Sequence, residues 1–362
     1  LPSSHERVSQ ERATDDRTWG QTLCQMLSLW RCEAVSVIVD VEHLKKYFPV
    51  QKSFFEKLFT RTTDYVKAVD DINFSVRKGE VFTLAGESGC GKTTTGMLLA
   101  MLLEPSDGKI LFEGEDIARL KSEELRLLRR RIQIIFQDPY ASLNPRMRIG
   151  EAVGHPLEIH GLATGSAKTK KVLEMLEKVG LTPPERFVGL YPHQLSGGQR
   201  QRVAMARSII LGPEFIVADE PVSMLDVSLR TVLIDLMMDL RKELELTYLF
   251  ITHDLAVAKY ISDRIAIMYL GKIVELGDKE DVFSNPLHPY AEALLSAVPV
   301  PDPERNRKTI ELKGDVPSAI HIPSGCRFHP RCPHSLAKCS TEEPQLMGTK
   351  RNHQVACHLV GK

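Results

Sequence analysis

Residues 86–93 read Gly-Glu-Ser-Gly-Cys-Gly-Lys-Thr, with Gly86, four residues, then Gly91-Lys92-Thr93. That is the register of a phosphate-binding loop, and its flanks agree with it. Glu80–Ala85 is a short apolar run suited to a buried strand, and Thr94–Ala100 suits a helix that starts at the loop. Glycines let such a loop curl so that backbone N–H groups point inward, and the helix N-terminus adds partial positive charge. Gly86, Ser88, Gly89, Cys90, Gly91 and Thr94 are therefore the candidate cradle. Lys92 would reach the β/γ-phosphates, and the Thr93 hydroxyl would sit on Mg²⁺. Between a strand and a helix, this loop points to a nucleoside triphosphate.

A chain of 362 residues has room for one large domain and a smaller one. Lys+Arg and Asp+Glu both number 47, so the net charge gives no support to a nucleic-acid or anionic-membrane partner. No run of 18 apolar residues exists. Ala34–Val39 is short and follows Arg31 and Glu33, so it reads as a first strand and not as a membrane span or secretory signal. If the protein works at a membrane, other chains must do the spanning.

Residues 1–34 are polar without clear periodicity, apart from a stripe of Leu23, Met26, Leu27 and Trp30, and are expected to be a poorly ordered extension. Strands are expected at 66–69, 72–76, 80–85, 110–112, 132–136, 215–218 and 248–251, with helices at 94–100, 122–131 and 228–243. The Arg126, Arg129, Arg130 and Arg131 cluster reads as a solvated helix face. Residues 148–210 lack strand patterning and look helical, including an amphipathic stretch at Val172–Val179 ended by Gly180. This alternation predicts an α/β fold with a mostly parallel sheet and a helical insert. From about 300 the chain is rich in Pro, His and Cys and has few long apolar runs. It is not expected to build a core there without a metal centre or docking.

Phe215–Glu220 is a strand ending in two carboxylates. Asp219 is placed to hold Mg²⁺ and Glu220 to face the water attacking the γ-phosphate. Leu195-Ser196-Gly197-Gly198-Gln199 opens a polar helix whose N-terminus is a second anion site. Alone, it would read as a plain Ser N-cap.

With Gln137 after a strand, Leu195–Gln199, Asp219-Glu220, Ser223-Met224-Leu225-Asp226 and His253 after a strand, the chain resembles ATP-binding cassette (ABC) subunits over roughly 36–275. With the phosphate loop, all six motifs stand in the family's order. The resemblance implies a P-loop NTPase of ABC type: a mostly parallel core sheet, an antiparallel β subdomain and a helical subdomain. It makes Glu220 the base and gives Gln137 a contact with Mg²⁺, the attacking water and a transmembrane partner. Ser196 and Gly198 would bind the γ-phosphate held by the opposite subunit, Asp226 would cross the dimer interface, and His253 would hold the γ-phosphate. Tyr47 fits the adenine-stacking place best, with Phe48 and Tyr65 as alternatives because 49–64 looks inserted. The family's Thr after Glu-Pro is Val222 here, which is not a catalytic position.

Phe136–Pro145 and Asn285-Pro286-Leu287-His288-Pro289-Tyr290 are similar to the ATPase subunits of dipeptide/oligopeptide importers, the F-type one of their two. That resemblance implies a peripheral subunit on the cytoplasmic face of the membrane. Its partners would be a second ATPase subunit (a D-type heterodimer ahead of a homodimer), two permease subunits and, indirectly, a peptide-binding protein, with no nucleic acid. The alternatives are a soluble cassette ATPase of repair or translation type, or a metal-sensing regulator on the same fold. Expected boundaries are 1–34 extension, 35–285 nucleotide-binding domain and 286–362 C-terminal region.

Cys326, Cys332, Cys339 and Cys357 are separated by five, six and 17 residues. Four thiolates so spaced can enclose a tetrahedral metal or a cubane cluster. The importer resemblance implies a 4Fe–4S cluster, with zinc second. Cys90 is a small loop residue, and His329, His334, His353 and His358 read as surface residues, with one of them able to replace a cysteine as ligand. Because the tail and the nucleotide site come from separate segments, Cys332→Ser is expected to destabilise the C-terminal region but largely spare nucleotide binding.

Overall fold

Two 13-residue strands, β1 (Val37–Pro49) and β2 (Tyr65–Arg77), pair antiparallel with Val39 opposite Val76 and Val41 opposite Phe74. The computed structural model describes residues 36–50, 64–298, 310, 312, 314–349 and 352–360. The extension at 1–34, Cys24, Cys32 and most of the expected insertion at 49–64 lie outside them. Val50 N–H donates to Asp64 O across 2.8 Å, so that segment leaves and returns at one ladder position. The sequence predicts two short strands at 66–69 and 72–76, but β2 is continuous. His43 (φ 50) and Asp71 (φ 59) sit at the register shifts and take up the extra residues of the bulges.

After β3 (Val81–Ala85) and α1 (Lys92–Leu99), β4 (Asp107–Phe112) and β5 (Glu115–Asp116) complete an antiparallel sheet ordered β2-β1-β4-β5. Then come α2 (Ser122–Arg131) and β6 (Ile132–Ile135). The α2 arginines do more than face solvent: Arg131 Nε donates to Glu214 Oε1 at 2.5 Å, and Arg129 donates to Met101 O at 3.2 Å. Helices α3 (Pro139–Ser142), α4 (Ile149–Ile159), α5 (Gly165–Lys178), α6 (Glu185–Val188) and α7 (Gly197–Ile209) follow without a strand. Ile149, Val153, Leu157, Val172, Leu176 and Val203 form their buried seam.

The second sheet adds β7 (Phe215–Asp219), β8 (Thr247–Thr252) after α8 (Val227–Leu244), and β9 (Arg264–Tyr269) after α9 (Leu255–Ile261). β10 (Lys272–Asp278), α10 (Lys279–Ser284), α11 (Pro289–Ser296), β11 (Met347–Gly348) and β12 (Gln354–Val355) complete the described elements. Its order is β11-β12-β10-β9-β3-β8-β7-β6, with β9-β3-β8-β7-β6 parallel. Strands β3, β7, β8 and β9 are buried along their whole length, as a sheet covered on both faces requires.

The tail docks on this sheet and has no separate core. β12 pairs with β10, Glu275 opposite Val355 and Leu276 opposite Gln354. Phe328, 1% exposed, packs its ring 5.3 Å from those of Tyr269 and Tyr290, a burial contributing about 2 kcal/mol. Glu275 is a fully buried carboxylate, and its charge is met by Leu287 N–H (2.9 Å), His288 N–H (2.7 Å) and the His353 ring (2.7 Å). His353 is therefore an interior residue, contrary to the surface position expected of it.

Candidate active site

In the parallel sheet, β3, β8, β7 and β6 are successive neighbours, so their C-terminal ends lie side by side. The phosphate loop follows β3, His253 follows β8, Asp219 and Glu220 end β7, and Gln137 follows β6. Chemistry scattered over 168 residues of chain reaches one sheet edge, where ligands of open α/β sheets bind.

The loop can take only its own residues at two places. Gly86 (φ 152) and Gly91 (φ 109) have conformations that L side chains rarely adopt. A Cβ at Gly86 would meet Met268 O at 2.3 Å, and one at Gly91 would meet Ala68 O at 2.1 Å. Lys92, 5% exposed, donates through Nζ to Gly86 O (2.8 Å) and Glu87 O (2.9 Å), with Cys90 Sγ at 3.7 Å. Thr93 Oγ1 donates to Asp219 Oδ1 at 3.1 Å, joining the loop to β7. Burial first, and then the charge of Glu220, raise the Asp219 carboxyl above its ordinary value, against the pull of Thr93 and Lys92. A divalent cation between Thr93 and Asp219 would reverse that shift. These two oxygens fit Mg²⁺, a hard ion that takes few protein ligands and keeps several waters.

Glu220 occupies the left-handed region at φ 45. For a non-glycine residue that conformation costs about 1 kcal/mol and is held by the surroundings. Its N–H donates to Ile251 O (2.9 Å), and its C=O accepts from Ser223 N–H (3.1 Å) and Ser223 Oγ (3.0 Å). The carboxylate accepts from Gln137 Nε2 at 3.0 Å and lies 2.9 Å from His253 Nδ1. Gln137, Glu220 and His253 thus form one connected group beside the Thr93–Asp219 pair.

Ser196 and Gly198 stand apart from that group. Ser196 N-caps α7 in a capping box: its Oγ accepts from Gln199 N–H (3.3 Å), and Gln199 Oε1 accepts from Ser196 N–H (3.0 Å). The side chains nearest the two following glycines are Leu225, 3.8 Å from a Cβ at Gly197, and Leu229, 3.6 Å from one at Gly198. Asp226 is the N-cap residue of α8, between exposed Met224 (64%) and Val227 (78%).

Tyr47 lies on β1 opposite Lys67. Its hydroxyl donates to Asp70, which also accepts from Arg327 of the tail. Burial first, then that hydrogen bond, hold the phenol above its ordinary value. Sequence reading missed β9 and β10 and the tail's contacts. A signal for the hairpin was available: Leu270-Gly271, with φ 43 and 82, is a tight turn flanked by apolar runs.

The four tail cysteines are neighbours. Cys326 N–H donates to Cys339 O at 2.8 Å. Burial first, then the proximity of Cys339, Cys357 and Cys332, push the Cys326 thiol up to about 11. The donor set suits a thiolate-bound metal, but among the described residues no three His, Cys, Asp or Glu side chains stand where they could hold a metal ion. The described residues show a docked tail with four free thiols, Cys339 and Cys357 buried and Cys326 and Cys332 half-buried. Arg331 of the tail pairs with Glu87 of the loop at 2.8 Å, so the two segments are in contact.

The ABC transporter family profile matches residues 69–223, and that of the oligopeptide/dipeptide transporter C-terminal region matches 274–339. The chain is similar to a dimeric ATP-binding cassette, MJ0796, solved in a post-hydrolysis state with ADP and Pi. The TM-score is 0.58 at 29% identity, over 67% of this chain and 98% of that one. Fold and loop thus define an ATP-hydrolysing P-loop protein of cassette type. The chain is 48% identical to the oligopeptide transport ATP-binding protein AppF of Bacillus subtilis (strain 168), over 89% of this chain and 97% of the relative. To the dipeptide transport ATP-binding protein DppF of Haemophilus influenzae it is 47% identical, over 88% and 95%. It belongs to this family of ABC transporter ATP-binding subunits. Among the described residues no helix is long and apolar enough to cross a membrane.

Proposed function

We propose that this chain hydrolyses ATP at a site shared with a second cassette subunit and so drives peptide uptake through partner permeases. The observation that carries the reading is the Gln137–Glu220–His253 group, with contacts of 3.0 and 2.9 Å, beside Thr93 and Asp219. Gly86, Ser88, Gly89, Cys90, Gly91 and Thr94 cradle the phosphates, Lys92 moves from the loop carbonyls to the β/γ-phosphates, and Tyr47 stacks on adenine. Thr93, Asp219 and Gln137 would hold Mg²⁺, which when bound would supply charge neutralisation at the phosphates. Glu220 takes the proton of the attacking water, oriented by Gln137, while His253 holds the γ-phosphate. Ser196 and Gly198, at a helix start where the nearest side chains are Leu225 and Leu229, serve the neighbour's nucleotide in a head-to-tail dimer. Asp226 lies on that interface.

The partners follow from the relatives' names and the F-type resemblance: a D-type ATPase subunit ahead of a second copy, two permeases, and a peptide-binding protein acting through them. The place of work is the cytoplasmic face of the membrane. The domain reading carries over as 1–34, 35–285 with a helical part at 148–210, and 286–362. Proteoliposomes holding the permeases and both ATPase subunits should show peptide-stimulated ATP hydrolysis, abolished by Lys92→Ala. Turnover stimulated by DNA or ribosomes and indifferent to permeases would replace this reading with the repair or translation one.

For the tail, the clustering of four thiols supports a thiolate-bound metal module, 4Fe–4S ahead of zinc. Protein purified anaerobically should then absorb near about 400 nm, in the thiolate–iron region, and lose that band in Cys332→Ser. A colourless sample with one zinc per chain selects zinc, and one with neither metal ends the module.

A further inference from the structure

We propose that Arg331, from the C-terminal tail, is a positioning residue of the nucleotide site that neutralises and holds the carboxylate of phosphate-loop Glu87. The inference rests on reading Gly86–Thr93 as that site. The Arg331 guanidinium meets Glu87 as a fork, NH1 to Oε2 at 2.8 Å and NH2 to Oε1 at 3.3 Å, with the arginine side chain 8% exposed. Bidentate geometry of this kind fixes orientation as well as charge. Every polar group of Glu87 is held. Its N–H donates to the Tyr290 hydroxyl at 2.9 Å, and its carbonyl accepts from Lys92 Nζ at 2.9 Å.

Glu87 therefore stands between the loop lysine, which donates to its backbone carbonyl, and the tail guanidinium, which holds its carboxylate. A triphosphate brings several negative charges to this loop, and an unpaired carboxylate one residue after Gly86 would oppose them in a partly desolvated place. Arg331 removes that opposition and turns the carboxylate toward the tail. The same short segment also reaches the other end of the site, where Arg327 binds Asp70, the acceptor of the Tyr47 hydroxyl.

A plain docking ion pair would make the same contacts, so the test separates charge from anchorage. Affinities for MgATP and MgADP are measured on the full chain by fluorescent-nucleotide displacement, with a thermal melt for each variant. Arg331→Ala should weaken ATP binding about tenfold, as loss of one partner of a buried ion pair does, and ADP binding distinctly less. Adding Glu87→Gln to Arg331→Ala should bring ATP back to within about threefold of wild type, because the uncompensated charge is gone. Arg331→Lys should lie between, about threefold weaker for ATP, and carries the test if Arg331→Ala does not fold. Wild-type ATP affinity in Arg331→Ala or Arg331→Lys, or a loss that Glu87→Gln leaves unchanged, overturns the proposal. Lys92→Ala distinguishes the two levels. If it binds ATP like wild type, the nucleotide-site reading has failed; if only the Arg331 variants behave like wild type, the clamp alone has failed.

Discussion

Glu220→Gln is expected to lower the kcat of ATP hydrolysis about 10³-fold, the size of a lost general base, while ATP still binds. The substitution removes a proton acceptor and little else. An amide of the same shape can keep the 3.0 Å contact with Gln137 and the 2.9 Å contact with His253. The backbone at Glu220 is held independently through Ile251 and Ser223, so the φ of 45 persists. The Thr93–Asp219 pair is untouched, and with it the place for Mg²⁺. Blocked turnover with intact binding should leave the ATP-bound dimer as the resting species, visible as a shift in elution volume with MgATP. Steady-state hydrolysis within a few-fold of wild type would remove Glu220 from the role of base. Unchanged hydrolysis together with collapse in Gln137→Ala would move the search to the water-orienting side.

The parts of this site that could be read in advance are those whose constraint is local. A strand, a glycine turn with forbidden Cβ positions at Gly86 and Gly91, and a helix start together make a legible pattern. So do two acids at the end of an apolar strand. Once the parallel order was expected, their convergence at one sheet edge followed from topology. The parts that could not be read are those decided over long distance. Glu87 and Arg331 lie 244 positions apart and Asp70 and Arg327 lie 257 apart, so neither pairing leaves a periodicity or spacing to detect. His353 looked like a surface residue because its environment, the buried Glu275, is set by β12 pairing with β10. The tail's composition left two ways to a core, a metal centre or docking, and Phe328 against Tyr269 and Tyr290 supplies apolar burial by docking. The same docking brings the tail to the phosphate loop.

Ser196→Arg tests whether the site needs a second subunit. In one chain Ser196 is an N-cap whose Oγ is spent on Gln199 N–H, and the bulk nearest the adjoining glycines is Leu225 and Leu229, not the phosphate loop. A large cation at that cap should cost about 1 kcal/mol of stability through the lost cap, and should leave ATP affinity of the isolated chain within about twofold, since no loop contact is disturbed. In the dimer the same side chain would stand where the neighbour's γ-phosphate approaches the α7 N-terminus. ATP-induced dimerisation should therefore disappear and turnover should fall about 10²-fold or more, the loss typical when a set of anion donors is removed. Mixing Ser196→Arg with Lys92→Ala chains sharpens the test. A head-to-tail pair of the two would join one wild-type loop to one wild-type cap and so restore a single working site, up to half the activity of a symmetric dimer. If Ser196→Arg alone turns over ATP at the wild-type rate, each chain is self-sufficient, and exposed Met224 and Val227 beside Asp226 must serve some contact other than a shared nucleotide.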